Sequence, residues 1–237
     1  MSVVLVTGGS GTLGVHAVRV LSERGHEVRA LSRRTGLDLA TGVGLDEAVE
    51  GVDLVLHAAS DTRRIGARDP RQTRNLLAAC GRVSHLLYVS IVGIDQIPYR
   101  YYRHKLECER IIERSGVPHT ILRATQFHEL VDWVFTHLSR WPVAPLPVGA
   151  KAQPVAADEV ASRCADLLQG EPLGHAPDFG GPEVLTVPEM LELWPERMRV
   201  LPLPTVGRVL GGFRAGLNTT PEHGDGVQTW AQYLAIG

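Results

Sequence analysis

A glycine-rich turn near the start of the chain constrains the fold more than any other feature of the sequence. Residues 7–14 read Thr7-Gly8-Gly9-Ser10-Gly11-Thr12-Leu13-Gly14. The apolar run over residues 3–7, which ends at these glycines, is typical of a strand buried on both faces. Apolar residues at helical spacing follow over residues 13–24. The sequence therefore predicts a strand, a tight turn and a helix, which is the opening unit of an α/β fold.

The spacing of the glycines suits a close approach of the backbone to a pyrophosphate. Gly8 permits the tight bend, Gly11 keeps a Cβ out of the phosphate's path, and Gly14 lets the helix pack against the strand. The helix N-terminus adds unpaired N–H groups and a partial positive charge. An ordinary glycine-rich turn is the alternative. The residues of the turn that we predict to bind a dinucleotide are Thr7, Gly8, Ser10, Gly11, Thr12, Leu13 and Gly14.

Strands and helices alternate through the first half of the chain. Short apolar runs predict strands over residues 3–7, 27–32, 53–59, 85–90 and 118–123. Helical spacing predicts helices over residues 13–24, 46–50, 71–80 and 101–115. This alternation predicts a Rossmann-type, doubly wound parallel sheet of six or seven strands, with a small C-terminal lobe. The stretch between Arg34 and Asp38 has little room for a helix and a strand, so we expect the third strand to be truncated.

Two regions are predicted along the chain. Residues 1–125 form a dinucleotide-binding core, and residues 126–237 form a small substrate-binding lobe that continues from it within a single overall domain. After residue 126 the alternation ends, and the aromatic and proline-rich stretch over residues 133–147 indicates a loop or short helix covering a cleft. Helical spacing returns over residues 157–169, 189–196 and 229–234.

Composition excludes several classes of protein. Lys and Arg total 24 against 26 Asp and Glu, and this balance does not favour a nucleic-acid binder, which is usually basic. The three cysteines form no CxxC pair, so we expect no disulfide framework and a cytoplasmic location. The apolar runs are far shorter than the ~20 residues that cross a bilayer, and no basic segment of a signal peptide follows Met1. We expect a small molecule as the partner, and neither nucleic acid, a membrane nor a bound metal.

Further motifs follow the glycine turn in order along the chain. Residues 51–59 read GVDLVLHAA, Tyr101 and Lys105 hold a YxxxK spacing, residues 115–123 read SGVPHTILR, and residues 153–161 read QPVAADEVA. Together with the G-x-x-G-x-x-G spacing, these stretches resemble the atypical and extended branches of the short-chain dehydrogenase/reductase superfamily. The later segments resemble its NmrA-like and triphenylmethane-reductase-like branch.

The resemblance implies a protein that binds NAD(P)H, with cofactor contacts outside the turn. The end of the second strand, over residues 31–34, is similar to the family's adenosine-recognition stretch. Asp38 would meet the adenine amino group, with Leu39 beside it. Ala58 and Ala59 end the segment that resembles the family's GVDxVxHxA strand, and the resemblance implies that they line the cofactor.

The end of the second predicted strand indicates which nicotinamide nucleotide is bound. An acidic residue there would accept the ribose 2′-hydroxyl and repel a 2′-phosphate, but the chain offers Ser32, Arg33 and Arg34. Guanidinium groups bind phosphate through charge-assisted, bidentate hydrogen bonds. These residues predict NADP(H) as the cofactor, against the alternative of two solvated arginines on a surface loop.

Tyr101 and Lys105 are candidates for the chemistry. They lie four residues apart on a predicted helix, so both side chains face the same way. A tyrosine of pKa ~10 is a poor acid at neutral pH, and a nearby ammonium favours its phenolate. Lys105 would supply that charge and, as in the family, bind the nicotinamide ribose. Tyr102, three residues before Lys105, is the competing proton donor.

Ser90 is the third catalytic candidate. It lies at the end of the predicted strand over residues 85–90, where the serine region of the family begins. Its hydroxyl would orient a substrate carbonyl, or it is a structural serine that bonds the backbone at a strand end.

Two further groups of side chains bear on the substrate. Aromatic residues after the last predicted strand suggest an apolar, planar substrate, although packing of the lobe explains them equally well; they include Phe127, Trp133 and Trp141. A basic stretch after residue 60 is either a site for an anionic substrate or a solvated helix face with Asp61 and Asp69 as partners. Its members are Arg63, Arg64, Arg68, Arg71 and Arg74.

The hypothesis that follows is an enzyme of the short-chain dehydrogenase/reductase type. It would be an NADP(H)-dependent oxidoreductase that reduces a carbonyl, quinone or similar small apolar substrate by hydride transfer, with Tyr101 as the proton donor. One alternative is a non-catalytic NADP(H)-binding sensor or regulatory protein of the NmrA-like type. Another is an epimerase or dehydratase that recycles its hydride.

Overall fold

A computed structural model describes residues 1–31, 38–81 and 83–236, without the side chain of Arg63. The helices are α1 Thr12–Glu23, α2 Leu45–Val49, α3 Asp69–Ala79, α4 Arg100–Glu113, α5 His128–Ser139, α6 Ala157–Gln169, α7 Val187–Leu193, α8 Gly207–Ala215 and α9 Trp230–Ile236. The strands are β1 Val3–Thr7, β2 Glu27–Leu31, β3 Leu54–His57, β4 His85–Ile91, β5 His119–Ala124, β6 Ala144–Leu146, β7 Lys151–Ala152, β8 Gly174–His175, β9 Leu185–Thr186 and β10 Val200–Pro202.

The central sheet confirms the predicted fold class. Among the described residues it has six strands in the order β2-β1-β3-β4-β5-β8. Pairing is parallel, with Val4 of β1 opposite Val28 of β2 on one side and Leu54 of β3 on the other. Along the chain, β2 is added on one side of β1 and β3 on the other side. The position between β1 and β3 is therefore the topological switch point, and α/β sheets bind ligands at the carboxyl ends of the strands there.

The described residues between β2 and β3 contain no further strand. Residues 38–53 contain turns and α2, with no strand among them, and the next strand, β3, pairs with β1 on the side opposite β2. Residues 34–37, where we expected the third strand to be truncated, lie outside the described residues, and the GVDLVLHAA segment supplies the third strand of the described chain.

The core of the sheet region explains why its strands are uniformly apolar. Leu5, Val55, Leu86 and Ile121, one from each of β1, β3, β4 and β5, lie in one buried cluster. Helices cover both faces of such a sheet, so its central strands carry almost continuous apolar runs. The same cluster includes Ile112 of α4, which fixes that helix against the sheet.

Backbone contacts divide the described chain into two compact units. The first contains Met1–Ser90, Arg100–Arg123 and Val160–Pro177; the second contains Ile91–Tyr99, Ala124–Glu159 and Asp178–Gly237. The division into a core over residues 1–125 and a lobe over residues 126–237 stays a prediction. No helix in the described ranges is long and apolar enough to cross a bilayer.

The second unit has an aromatic core and short strand pairs. Phe135, Trp194 and Trp230 are buried, and the rings of Trp194 and Trp230 stack with centroids 6.2 Å apart. The parallel pair β6–β10 and the antiparallel pair β7–β9 complete it. The expectation of a loop or short helix over residues 133–147 was wrong over residues 133–139, because these residues belong to the 12-residue helix α5.

Candidate functional site

The glycine turn between β1 and α1 is closely packed on two sides. A Cβ added at Gly8 would lie 2.9 Å from the Cα of Ala59, and Gly8 has a positive φ of 74°. A Cβ at Gly14 would lie 2.1 Å from the carbonyl oxygen of Gly8. Gly8 therefore permits both the bend and the approach of the next strand end, and Gly14 lets α1 pack onto the turn.

The centre of the turn is open. A Cβ at Gly11 would meet the carbonyl oxygen of Gly8 at 3.2 Å and no other described atom within 4 Å. Ser10, Gly11 and Thr12 are exposed, and no side chain caps the N-terminus of α1 at Gly11. The first N–H groups of the helix are thus available to an anion, so these residues fit a dinucleotide pyrophosphate. Leu13 is buried and anchors the first turn of the helix.

The predicted adenosine contacts lie partly beyond the described residues. Ser32, Arg33 and Arg34 fall outside them. Asp38 is half-buried, and its Oδ1 accepts a hydrogen bond from the backbone N of Ala40 at 2.9 Å. Leu39 packs in the core cluster of the sheet. One carboxylate oxygen of Asp38 therefore stabilises the turn that begins at this residue.

The carboxyl ends of β1 and β3 meet beside the glycine turn. Thr7 Oγ1 lies 2.8 Å from Nδ1 of His57, and Nε2 of His57 lies 3.1 Å from Oγ1 of Thr73 on α3. Thr7 also accepts hydrogen bonds from the backbone of Ala58 and Ala59, through its carbonyl and hydroxyl oxygens at 3.3 and 3.4 Å. These contacts hold the segment after β3 against the turn.

His57 is a buried histidine that stays neutral. Burial, helped by the charge of Lys105, lowers its pKa from the ordinary 6.5 to about 3. The two ring nitrogens are satisfied by hydroxyl groups, which accept or donate as the tautomer requires. The sequence motif contained His57, but sequence reasoning assigned it no role.

Tyr101 lies at the start of α4 with its hydroxyl anchored to the loop after β3. Its oxygen lies 3.1 Å from Oγ of Ser60, and Ser60 Oγ donates to Oδ2 of Asp69 at 2.6 Å. A Cβ at Gly66 would lie 2.9 Å from the Tyr101 ring, so this loop packs directly on the ring. The phenol is thus brought to the segment that also borders the glycine turn.

Lys105 lies one turn further along α4 and is buried. Its Nζ donates a 2.8 Å hydrogen bond to the carbonyl oxygen of Val89 and sits 4.2 Å from the ring centroid of Tyr88. Burial lowers the pKa of Lys105, and the nearby Cys108, Asp69 and Glu109 act in the opposite direction. An ammonium has three donors, and among the described residues the carbonyl oxygen of Val89 accepts from one of them.

Tyr102 and Ser90 differ from Tyr101 in their surroundings. Tyr102 is buried, with 6% of its surface exposed, whereas Tyr101 is half-buried. Ser90 is 3% exposed, and its Oγ has no hydrogen-bond partner among the described residues. The backbone bond considered as its structural role is therefore not seen in the described part of the chain, and an unsatisfied buried hydroxyl costs free energy.

The basic stretch is mostly an ion-paired surface. Arg64 and Arg68 approach Asp61 Oδ2 at 4.0 and 3.9 Å, and Arg74 pairs with Glu107 at 2.8 Å. Asp69, the other partner considered, bonds Ser60 and the backbone of Asp61 instead. Sequence reasoning did not single out Ser60, which contacts both Tyr101 and Asp69. The one available signal was its position directly after the HAA of the motif.

The aromatic residues after β5 belong to the second unit. His128 is fully buried against the rings of Trp230 and Tyr233, with centroids 5.9 and 4.9 Å away. Trp133 is exposed on α5 and contacts His137 with ring centroids 4.1 Å apart. Packing therefore accounts for His128, and Trp133 remains on the surface of its helix.

A comparison with known protein families shows which family the chain belongs to. The profile of a family described as NAD(P)H-binding matches residues 8–169, from the glycine turn to the end of α6. The chain belongs to this NAD(P)H-binding family. The match confirms the NAD(P)H binding that the resemblance implied, and it identifies NAD(P)H as the cofactor.

A curated relative is similar in sequence to part of this NAD(P)H-binding protein. A 2-alkyl-3-oxoalkanoate reductase of Stenotrophomonas maltophilia is 33% identical over 40% of this chain and 39% of its own length. The chain thus matches well under half the length of this relative.

Two solved structures share the fold over nearly the whole chain. The NADPH-dependent quinone oxidoreductase QOR2 of Escherichia coli, complexed with NADPH, has a TM-score of 0.80 at 16% identity, over 98% of this chain and 99% of its own. The triphenylmethane reductase of a Citrobacter species has a TM-score of 0.71 at 14% identity, over 98% of both chains. At these identities the likeness concerns the fold.

Proposed function

We propose that the protein is an NADP(H)-dependent oxidoreductase that reduces a carbonyl, quinone or similar small apolar substrate, with Tyr101 as the proton donor. The observation that carries the proposal is the 3.1 Å contact between the Tyr101 hydroxyl and Ser60 Oγ. Ser60 follows Ala59, whose backbone lies against Gly8 of the turn. The phenol is therefore anchored beside the segment that borders the cofactor turn. When bound, the nicotinamide supplies the hydride.

The chain's own residues have distinct parts in this proposal. The glycine turn and the N-terminus of α1 hold the pyrophosphate, and Arg33 and Arg34 bind the 2′-phosphate. Tyr101 gives its proton to the substrate oxygen, and the ammonium of Lys105, one helical turn away, favours the phenolate that remains. The hydroxyl of Ser90, which has no hydrogen-bond partner in the described part of the chain, would orient a substrate oxygen.

The substrate class is supported by chemistry and by the relatives. One relative is named a 2-alkyl-3-oxoalkanoate reductase, and one structural neighbour is named an NADPH-dependent quinone oxidoreductase. Both names refer to carbonyl compounds. A phenol acid serves such substrates because the oxygen gains a proton as the carbon gains a hydride.

The test is a substrate screen with the purified full chain. NADPH oxidation is followed with quinones, aromatic ketones and aldehydes, and NADP⁺ reduction with the matching alcohols. Gly11→Val, in which cofactor binding is expected to be lost, measures the background. We expect turnover of at least one class by the parent protein alone. Tight NADPH binding with no turnover of any class would overturn the proposal and favour the sensor.

A further inference from the structure

Three side chains of the first unit form a hydrogen-bonded chain with a defined direction. Ser60 Oγ lies 3.1 Å from the Tyr101 hydroxyl and 2.6 Å from Asp69 Oδ2. An ionised carboxylate only accepts, and a serine hydroxyl has a single proton to give. Asp69 therefore takes the Ser60 proton, and Ser60 can only accept from Tyr101. The protons run from Tyr101 to Ser60 to Asp69.

Asp69, the last member of this hydrogen-bonded chain, is surrounded by groups that stabilise a carboxylate. Asp69 is 2% exposed, and its Oδ1 accepts a hydrogen bond from the backbone N of Asp61 at 2.8 Å. It is also the first residue of the 11-residue helix α3, where the helix dipole favours a negative charge. Together these interactions offset the cost of burying the carboxylate.

The loop between Ser60 and Asp69 contacts both Tyr101 and Asp69, the two ends of the hydrogen-bonded chain. Gly66 has a positive φ of 70°, and a Cβ there would lie 2.9 Å from the Tyr101 ring and 3.2 Å from Asp69 Oδ2. His104 Nδ1 on α4 lies 2.8 Å from the carbonyl oxygen of Ile65, next to Gly66. The loop is thus tied to the helix that carries Tyr101.

We propose that Ser60 and Asp69 form a proton relay for Tyr101, an inference that rests on the proposed function. Because the Tyr101 proton is directed to Ser60, the phenol oxygen acts as an acceptor toward a ligand that donates, such as the hydroxyl of a secondary alcohol. The substrate is therefore a secondary alcohol in the oxidising direction and the corresponding carbonyl compound in the reducing direction.

The protons and electrons balance in each direction. In alcohol oxidation, the alcohol O–H proton passes to the Tyr101 oxygen while the Tyr101 proton passes to Ser60 Oγ and the Ser60 proton passes to Asp69 Oδ2. The oxidised nicotinamide, when bound, would accept the hydride that leaves the alcohol carbon as the C=O bond forms. Reduction is the reverse, in which a protonated Asp69 returns its proton through Ser60 and Tyr101 to the carbonyl oxygen.

The first arm of the test is spectroscopic and needs no substrate. The full chain is labelled with ¹³Cζ-tyrosine, and the Tyr101 resonance is assigned by its loss in Tyr101→Phe. We expect Ser60→Ala and Asp69→Asn both to move this resonance. Ser60→Thr, which keeps the hydroxyl, should leave it in place. Ser115→Ala is the matched control, because the Ser115 hydroxyl at the end of α4 bonds the backbone of Ile112.

The second arm is kinetic and uses the alcohol–carbonyl pair found by the substrate screen. Ser60→Ala should lower kcat roughly 10- to 100-fold, less than the ~10²–10⁴-fold loss for a missing proton donor. The KM for the alcohol and the affinity for NADPH should change little, and Ser60→Thr should restore kcat. A purely structural serine would not give this split between kcat and KM.

Failures of the two proposals are distinguishable. If a substrate turns over and Ser60→Ala matches the parent in kcat, the relay is overturned and the proposed oxidoreductase stands. A Tyr101 resonance that moves in Ser60→Ala but not in folded Asp69→Asn also overturns it, since the chain would then end at Ser60. If Asp69→Asn does not fold, Ser60→Ala and Ser60→Thr decide the question. If no substrate is found, the spectroscopic arm still tests the chain.

Discussion

Thr7 Oγ1 and His57 Nδ1 lie 2.8 Å apart at the carboxyl ends of two neighbouring strands. Because burial lowers the pKa of His57 from 6.5 to about 3, the unfolded chain binds a proton at this histidine below pH 6.5 and the folded protein does not. The stabilising effect is therefore complete above pH 6.5 and is lost as the pH falls toward 3. The slope is about 1.4 kcal/mol per pH unit for one group.

This gives a prediction for His57→Asn. Between neutral pH and about pH 5, the free energy of unfolding of the parent should fall by about 2 kcal/mol more than that of the variant. Urea unfolding at a series of pH values measures this difference. His137→Asn, on an exposed position of α5, is the control. Equal pH dependence in His57→Asn and the parent would contradict the prediction.

The glycine turn separates a binding effect from a folding effect. Gly11→Val should abolish NADPH binding and leave the fold intact, because its Cβ would meet one described atom, the Gly8 oxygen at 3.2 Å. Gly14→Ala should instead destabilise the fold by roughly 1–3 kcal/mol through overpacking. Fluorescence titration with NADPH and thermal unfolding measure the two effects. A folded Gly11→Val variant that still binds NADPH would count against the turn as the phosphate site.

Cofactor preference tests the residues after β2. We expect the parent to bind NADPH more tightly than NADH, and replacement of both Arg33 and Arg34 by alanine to remove most of the difference, on the order of 1–3 kcal/mol. The double replacement of Arg71 and Arg74 on α3 is the control. Equal affinity of the parent for both nucleotides would refute the preference, and an effect confined to the control would move the phosphate site to α3.

Tyr101→Phe tests the proton donor. The variant keeps the ring that packs on Gly66 and removes the hydroxyl, so NADPH affinity should barely change. Turnover should fall by roughly 10²–10⁴-fold, the range for a lost general acid. Tyr102→Phe is the matched control and should retain turnover. If Tyr101→Phe reacts as fast as the parent, Tyr102 or a water becomes the candidate donor.

Lys105→Met should impair both cofactor affinity and turnover. It removes the charge near Tyr101, the proposed ribose contact and the hydrogen bond to Val89. We expect NADPH affinity to fall by roughly 1.5–3 kcal/mol, the range for a hydrogen bond to a charged group. NADPH titration and steady-state kinetics measure the two effects, with circular dichroism to check the fold. Unchanged NADPH affinity in the folded variant would remove Lys105 from the cofactor site.

Local patterns in the sequence were sufficient for the parallel sheet and the turn. Strands β1, β3, β4 and β5 are buried on both faces and so carry apolar runs that can be recognised one at a time. The spacing of Gly8, Gly11 and Gly14 and of Tyr101 and Lys105 is likewise local, because neighbours in a turn or on a helix face are close in sequence.

Elements with weak local patterns could not be predicted. Strand β8 has two residues, too few for a period to appear. Helix α8 contains three glycines, which lower helix propensity. In α5, Leu130 and Trp133 are exposed while Val131 and Phe135 are buried, so apolar residues on both faces obscure the helical period.

The tertiary structure alone decided which residues of the candidate site contact one another. Ser60 and Tyr101 are separated by 41 residues, and Thr7 and His57 by 50. Such pairs are brought together by the sheet order and by the loop that passes Gly66, and neither leaves a periodic trace in the sequence. The sequence by itself determined which residue types were available at the strand ends. Folding decided which of them touch, because contact between distant residues depends on how the strands and helices pack.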